Sequence, residues 1–182
     1  MSQLASPVVS VVMSVFNGEK YLEEAIRSIL EQSFRDFEFI VIDDGSVDRS
    51  IETLQMFAAQ DSRIRLVARE NRGLTKSLNE GCALARGEFI ARMDADDTSW
   101  PSRFESQLAY LASRPEIVAC GTGVTCIDSQ GFSLGPLIVP LEHEDIERSL
   151  LTGNGGAICH PSLMVRRHAF IQVAGYDDSY KT

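Results

Sequence analysis

Three acidic residues, Asp94, Asp96 and Asp97, directly follow the short apolar run 89–93. Carboxylates crowded this closely repel one another unless a positive charge lies between them. Divalent cations such as Mg²⁺ and Mn²⁺ prefer hard oxygen ligands of this kind. The D-x-D pattern formed by Asp94, Ala95 and Asp96 therefore predicts a Mn²⁺ or Mg²⁺ site, with Asp94 and Asp96 as its ligands.

An isolated D-x-D pattern is weak evidence, because a solvated turn explains it as well. Its position at the end of an apolar run strengthens the metal interpretation. A second acidic pair, Asp43 and Asp44, follows the apolar run 37–42. Ligands of open α/β sheets bind at the carboxyl ends of the strands, so the two acidic strand ends predict a nucleotide site. Asp44 would accept hydrogen bonds from a ribose or a base, or would simply form a polar turn.

The phosphate groups of a bound nucleotide also need positive charge. The sequence contains neither G-x-G-x-x-G after its first apolar run nor the G-x-x-x-x-G-K-[ST] phosphate loop. Arg72 and Lys76, near the start of a predicted helix, are therefore the candidates for binding phosphate. Ordinary surface charge is the alternative explanation for both.

Apolar periodicity predicts the elements that would position these residues. Strands and helices alternate with short connections over the first hundred residues, which is typical of parallel strands joined by right-handed crossovers. We expect an α/β, Rossmann-like fold with a mainly parallel central sheet and helices on both faces. The expected strands are 8–15, 37–42, 64–68 and 88–93. The first expected helix has Glu19 in its first turn and apolar positions from 22 to 30, the second covers roughly 49–60, and the third has apolar positions from 74 to 85. Gly87 is expected to end the third helix as a C′ residue.

The second half of the chain alternates less regularly. Pro115 should end a fourth helix that begins after Pro101. The remaining expected elements are strands at 117–127, 132–139 and 157–165 and a short acidic helix at 142–151.

Composition narrows the class of protein. The 182 residues, 44% hydrophobic and 24% charged, are typical of one globular domain. A net charge of −9 argues against a nucleic-acid partner. No signal peptide is expected, because Met1 to Ser6 is short and mildly polar, and no apolar run in this sequence reaches membrane-spanning length. The four cysteines form no C-x-x-C pair, which favours reduced thiols and a cytoplasmic location.

Taken together, the motifs resemble the nucleotide-sugar-binding domain of the family 2 glycosyltransferases, which have the GT-A fold. The resemblance runs through nearly the whole chain. Each piece is weak alone, but the combination is specific. It is carried by VSVVMSVFNGEKYLEEAIRSILEQSFRDFEFIVIDDGSVDRS, NRGLTKSLNEGCALARGEFIARMDADDTSWPSRFESQL and HPSLMVRRHAFIQVAGYDD.

The resemblance implies roles for particular residues. Asp44 would bind the edge of uracil or another base, Asp94 the ribose or the metal shell, and Asp96 the metal. The family usually has proline at Ser14 and tyrosine at Phe16, so these two departures would alter contacts with the base. The nucleotide-sugar-binding residues implied are Ser14, Val15, Phe16, Asn17, Glu19, Asp44, Gly73, Lys76, Asp94, Ala95 and Asp96.

The resemblance also implies a reaction, a metal-dependent inverting transfer of a sugar from a nucleotide-diphosphate donor. UDP-sugars are the commonest donors, and the acceptors are glycans, lipid-linked glycans or other hydroxyl groups. In the family the catalytic base lies in an E-D pair shortly after a G-[YF]-D stretch, which here is Gly175-Tyr176-Asp177-Asp178. The chain stops at Thr182, so we expect a C-terminally truncated domain that lacks the base and transfers sugar poorly alone.

On this interpretation residues 1–182 form a single domain. Residues 1–100 make its nucleotide-binding half, and residues 101–182 make part of its acceptor-side half. The full-length enzyme would work in the cytoplasm or at the inner face of the membrane, and a homo-oligomer is compatible with the sequence.

Two other functions stay open. One is a non-catalytic nucleotide-sugar sensor or assembly domain. The other is a phosphatase of the D-x-D-x-T type, because Thr98 completes that motif. Individual residues also keep two explanations: His160 approaches the acceptor or diphosphate, or is structural, and Trp100 walls a sugar pocket or lies in the core. Asp177 and Asp178 are expected to form a turn.

Overall fold

The first four strands form a parallel sheet where the sequence predicts them. The protein was analysed as a computed structural model that describes residues 6–153 and 155–179. The ends of the predicted domain, 1–5 and 180–182, therefore lie outside the described residues, as does Asn154. The four strands are β1 (Val9–Val15), β2 (Phe37–Asp43), β3 (Ile64–Ala68) and β4 (Phe89–Met93).

Two short strands, β5 (Ala119–Cys120) and β8 (Met164–Arg166), extend this sheet beyond β4. The strand order is β3-β2-β1-β4-β8-β5, and β8 runs antiparallel to both of its neighbours. A separate hairpin is formed by β6 (Val124–Ile127) and β7 (Ser133–Leu137). The expectation of a mainly parallel central sheet is confirmed.

Helices cover both faces of the sheet, because side chains alternate between the faces along each strand. One apolar cluster joins the odd-numbered positions of β1 and β2 to α1, α2 and α4, and the other joins their even-numbered positions to α3. No helix in the described part of the chain has the length and apolar character needed to cross a bilayer. The helices are α1 (Leu22–Leu30), α2 (Ser50–Gln60), α3 (Leu74–Leu84), α4 (Arg103–Ala112), α5 (His143–Leu151) and α6 (Arg167–Gln172).

The strand predicted at 117–127 is wrong as one element, since it is divided between β5 and β6. Gly121 packs against the Ser162 hydroxyl, which accepts a hydrogen bond from the Thr122 amide. This side-chain bond replaces the ladder partner that a continuous strand would need. Glycines at 121 and 123 also weaken the strand conformation.

The strand predicted at 157–165 is also largely wrong. The 3₁₀ turns Gly155–Ala157 and His160–Ser162 interrupt it, and only its last two positions, Met164 and Val165, belong to a strand, β8. Pro161 explains the turn, because it has no backbone N–H to donate to a ladder. The acidic helix predicted at 142–151 is confirmed as α5, and the predicted strand 132–139 is confirmed over β7.

Gly87 has a different role from the C′ role that the sequence suggests. Helix α3 ends at Leu84, and Gly87 does not have a positive φ. A Cβ atom on Gly87 would lie 2.6 Å from the backbone nitrogen of Ser10 in β1. The Gly87 amide donates to the Ser10 hydroxyl over 2.9 Å, and that hydroxyl donates to Glu38. Glycine is required here because the backbone that leads into β4 passes directly against β1.

Replacement of Gly87 by alanine is therefore expected to lower the free energy of unfolding by about 1–3 kcal/mol, as overpacking of a dense core does. Urea denaturation followed by far-UV circular dichroism measures the effect. Gly123→Ala is the matched control, because nothing lies within 4 Å of a Cβ atom built there. Equal stability of the two variants would contradict the close-approach explanation.

Candidate functional site

A crevice of about 700 Å³ opens at the carboxyl ends of β1 and β4. These two strands are neighbours in the sheet. From β1 the sheet continues through β2 and β3 in one direction, and β4 lies on the opposite side of β1, so the strand order reverses between β1 and β4. Such a reversal of strand order is where open α/β sheets bind ligands. The residues that line the crevice are Ser14, Phe16, Asn17, Gly18, Lys20, Tyr21, Asp44, Asn71, Gly73, Leu74, Asp94, Ala95 and Asp96.

Most of the residues predicted from the sequence are brought together in this crevice, but three are not among its lining. Val15 is fully buried in the core of the sheet. The carboxylate of Glu19 accepts a hydrogen bond from the Arg49 amide over 2.9 Å. Lys76 is exposed on the first turn of α3.

Sequence reasoning missed several lining residues, including Lys20, Tyr21 and Asn71. Lys20 is the basic side chain in the lining of the crevice, and its Nζ lies 4.6 Å from the centre of the Tyr21 ring. A usable signal existed, because Lys20 and Tyr21 belong to the loop that follows β1, at the same edge of the sheet as the D-x-D motif after β4. Arg72, by contrast, is exposed and contributes its backbone amide to the loop after β3.

The loop after β1 is held in place by reciprocal hydrogen bonds to the loop after β2. Asn17 has a φ of 53°, and its side-chain oxygen accepts from the Val47 amide over 2.9 Å. In return, the Asn17 amide donates to the Ser46 hydroxyl and the Glu19 amide donates to the Asp48 carboxylate. The polar side chains of Asn17 and Glu19 therefore shape the loop, which presents Phe16 to the crevice.

Asp44 organises the opposite wall. Its side chain is only 3% exposed and accepts hydrogen bonds from the amides of Arg72 (2.8 Å) and Gly73 (2.9 Å) and from the Arg69 guanidinium. Burial alone would raise the pKa of Asp44. The hydrogen bonds from the Arg72 amide and the Arg69 guanidinium together outweigh this effect, so the pKa lies below the usual value of 3.8. Gly73 has a φ of 91°, which lets the loop after β3 turn sharply onto this carboxylate.

The D-x-D residues and Asp97 form a compact set of oxygen ligands. One ligand oxygen from each of Asp94, Asp96 and Asp97 lies within 4.8 Å of the others. Burial raises the pKa of Asp97, and the charges of Asp94 and Asp96 add to this effect. Three carboxylates in this arrangement suit a hard divalent cation such as Mg²⁺ or Mn²⁺.

Two buried arginines lie behind the carboxylates, and the sequence analysis did not identify either. Arg92 of β4 bonds to Asp94 over 2.5 Å. Arg103 of α4 donates to the backbone oxygen of Arg92 over 2.8 Å and to the Gln107 side chain over 3.0 Å. Burial lowers the pKa of Arg103 to about 10, which leaves it charged at neutral pH.

The remaining candidates have structural explanations. His160 Nε2 shares a hydrogen bond of 2.8 Å with the Tyr176 hydroxyl, and burial lowers the pKa of His160. Trp100 is 79% exposed, so it does not lie in the core, and it is not part of the crevice lining. Asp177 accepts from the Ser179 amide over 2.9 Å, which confirms the turn predicted there.

Comparison with known proteins agrees with this geometry. The model of the family "Glycosyl transferase family 2" matches residues 10–173. A protein named as a glycosyltransferase, EpsE of Bacillus subtilis (strain 168), is 36% identical over 98% of this chain and 63% of its own length. The O-antigen biosynthesis glycosyltransferase WbnJ of Escherichia coli is 32% identical over 97% of this chain and 68% of its own length.

Solved structures share the fold at lower sequence identity. The mannosyltransferase PcManGT from Pyrobaculum calidifontis, in complex with GDP-Man and Mn²⁺, superposes with a TM-score of 0.68 at 20% identity, over 95% of this chain and 48% of its own. TarS residues 1–349 of S. aureus, in complex with UDP-GlcNAc, give a TM-score of 0.72 at 20% identity, over 91% and 47%.

The chain thus spans less than two thirds of EpsE and about half of each solved relative. The D-x-D-x-T phosphatase interpretation loses its basis, because that motif belongs after a first strand and here follows β4. The match over most of the chain, the GT-A architecture and the carboxylates at the strand ends lead to one conclusion: the chain belongs to glycosyl transferase family 2.

Proposed function

We propose that the crevice binds the nucleotide-diphosphate part of a sugar donor together with Mn²⁺ or Mg²⁺. The observation that carries this proposal is the set of three carboxylates at the carboxyl end of β4, beside a crevice large enough for a nucleotide. The folds of PcManGT with GDP-Man and of TarS with UDP-GlcNAc support it. A UDP-sugar is the donor we propose, since it is the commonest in the family.

Different residues along the crevice would contact different parts of the ligand. Phe16 and the loop held by Asp44 form the walls beside the base, and Ser14 and Asp94 face the ribose. Asp96, with Asp94 and Asp97, would hold the cation, which when bound neutralises charge on the departing diphosphate. Lys20 adds a positive charge of the protein's own at the same crevice. The residues proposed to meet the ligand are Ser14, Phe16, Asn17, Lys20, Asp44, Gly73, Asp94, Ala95, Asp96 and Asp97. Val15, Glu19 and Lys76, also implied by the family resemblance, lie outside the crevice lining and would act from beside it.

The reaction that follows is displacement at the anomeric carbon by an acceptor hydroxyl, which a carboxylate deprotonates. We propose a glycan or lipid-linked acceptor, with residues 1–100 as the nucleotide-binding half and 101–182 as part of the acceptor-side half. A lipid-linked acceptor would bring the full-length enzyme to the inner face of the membrane. A non-catalytic sensor would share the binding step and lack the transfer.

Metal-dependent binding is the direct test. Calorimetric titration with UDP is expected to show binding in the presence of Mn²⁺ and binding at least tenfold weaker in EDTA, because the diphosphate then faces bare carboxylates. Asp96→Ala should abolish the Mn²⁺ effect. Asp145→Ala on α5 is the control, since Asp145 is exposed and its carboxylate pairs with Arg148 of the same helix, away from the crevice lining.

Binding of UDP that is equally strong in EDTA, or unchanged in Asp96→Ala, would contradict the proposal. Hydrolysis of a phosphomonoester by the same preparation would instead support the phosphatase alternative.

The source of positive charge for the phosphates can be decided by paired lysine variants. Lys20→Ala is expected to weaken UDP binding about tenfold, the usual scale of one charge-assisted hydrogen bond, and to change uridine binding little. Lys76→Ala should have a smaller effect, because Lys76 lies outside the crevice lining. The reverse ranking of the two variants, measured by the same calorimetry, would return the phosphate contact to Lys76.

The role of Asp44 gives a pH-dependent prediction. The pKa of Asp44 in the folded protein lies below its ordinary value of 3.8. The ionised carboxylate therefore stabilises the fold above about pH 4, and this contribution is lost as the pH falls through the pKa of the folded state. Asp44→Asn should therefore cost about 3 kcal/mol of unfolding free energy at pH 7, as loss of one partner of a buried ion pair does. The difference from the unmodified protein should shrink below pH 4.

Chemical denaturation at a series of pH values measures this difference, with Asp145→Asn as the control. The variant should also bind UDP more weakly, because the loop that carries Gly73 loses its anchor. A stability difference that stays constant down to pH 3 would show that the Asp44 charge does not matter.

A further inference from the structure

Arg92 is a charged side chain in a place where the fold calls for an apolar one. It lies in β4, whose other residues belong to the core, and only 3% of its side chain is exposed. A buried guanidinium is costly, and an apolar residue of similar volume often gives a more stable protein. Its position is therefore hard to explain by stability alone.

The contacts of Arg92 point toward the carboxylates. One terminal nitrogen lies 2.5 Å from Asp94 Oδ1, and the other donates to the backbone oxygen of Met93. The Arg92 Nε is buried and has no hydrogen-bond partner among the described residues. Arg103 differs, because its guanidinium is bonded to Gln107 and to backbone oxygens and is thereby committed to the core. Arg92 is the buried cation that acts on the D-x-D motif.

We propose that Arg92 is a positioning residue that serves as the resident counter-charge of the carboxylates Asp94, Asp96 and Asp97. It pairs directly with Asp94, and the charge of the buried Arg103 acts on Asp97 from the core, so the three carboxylates keep a net negative charge that suits one divalent cation. Its bond to Asp94 competes with any cation for that carboxylate. The carboxylates therefore bind Mn²⁺ weakly alone, and firmly only when a nucleoside diphosphate adds its own oxygens and charge. The inference rests on the proposed function for the nucleotide part.

This role predicts effects of opposite sign when the charge is removed. In Arg92→Met, Mn²⁺ alone should bind about tenfold more tightly, the order of change that one charge at this distance causes in an ionic equilibrium. UDP in the presence of Mn²⁺ should bind more weakly, because the diphosphate then meets more negative charge. A residue that only supports the structure would weaken both equilibria together.

The protein carries its own reporter for the test. Trp100 is the single tryptophan, is exposed and follows Asp97 by three residues. Quenching of its fluorescence by paramagnetic Mn²⁺ gives the Mn²⁺ affinity with and without UDP, independently of any transfer activity. Arg92→Met, Arg92→Lys and the unmodified protein are compared, with Arg148→Met on α5 as the control for the loss of an exposed arginine. Thermal unfolding verifies that each variant is folded.

Arg92→Lys keeps the charge and is expected to resemble the unmodified protein in Mn²⁺ affinity. Weaker binding of both Mn²⁺ and UDP in Arg92→Met, or equal behaviour of the Met and Lys variants, would overturn the proposal. If Arg92→Met does not fold, the Mn²⁺ affinity of the unmodified protein is compared with and without UDP. An affinity that UDP does not increase excludes the proposed role of Arg92. If UDP does not bind to the unmodified protein, the proposed nucleotide function is rejected. The role of Arg92 is then still tested by the affinity for Mn²⁺ alone, which should be higher in Arg92→Met than in the unmodified protein.

Discussion

The parallel pairing of β1 with β4 sets the positions of the loops that form the site. Residues Val9 to Met13 lie in register with Phe89 to Met93, so the two strands end at the same edge of the sheet. Their close approach is possible because Gly87 presents no side chain to the β1 backbone. This pairing brings the loop after β1 to within contact of Ala95, and without it the carboxylates would face solvent instead of a crevice.

The crevice is built before any ligand arrives, because its walls are held by hydrogen bonds between loops. The loops after β1 and β2 exchange bonds between side chains and backbone amides, and Asp44 fixes the loop after β3. Such preorganisation lowers the entropy that binding must overcome. It also means that several polar residues assigned to the ligand by family resemblance, such as Asn17 and Glu19, hold the loops through their side chains.

Buried positive charge lies behind the carboxylates at this edge, although the chain as a whole is acidic. A protein with a net charge of −9 places three carboxylates together and sets buried guanidinium groups behind them. The arrangement keeps the carboxylates compact at a cost in desolvation of Arg92 and Arg103. A site that is balanced for a divalent cation and a diphosphate together is the consequence we infer.

Local signals in the amino-acid sequence are enough to predict the first half of the fold and the location of the site. Strands β1 to β4 were predicted within about a residue or two at their ends, because continuous β-branched runs and helical periodicity are local signals. The acidic strand ends identified the edge where the crevice lies, since parallel strands place their carboxyl ends together. The second half was predicted less well, because the break after β5 depends on the Ser162 hydroxyl, which packs against Gly121 and bonds to the Thr122 amide from a position distant in sequence.

Which polar atoms face the crevice and which hold its walls depends on long-range packing. Local sequence gave the same acidic appearance to Asp44 and Asp96, yet the fold buries Asp44 under three donors and leaves Asp96 exposed. It also brought Lys20 into the crevice and left Lys76 outside. The pairing of Arg92 with Asp94 could not be recognised from the sequence. Whether an arginine within an apolar strand is buried, and which group it pairs with, depends on the elements that pack around it in the whole fold.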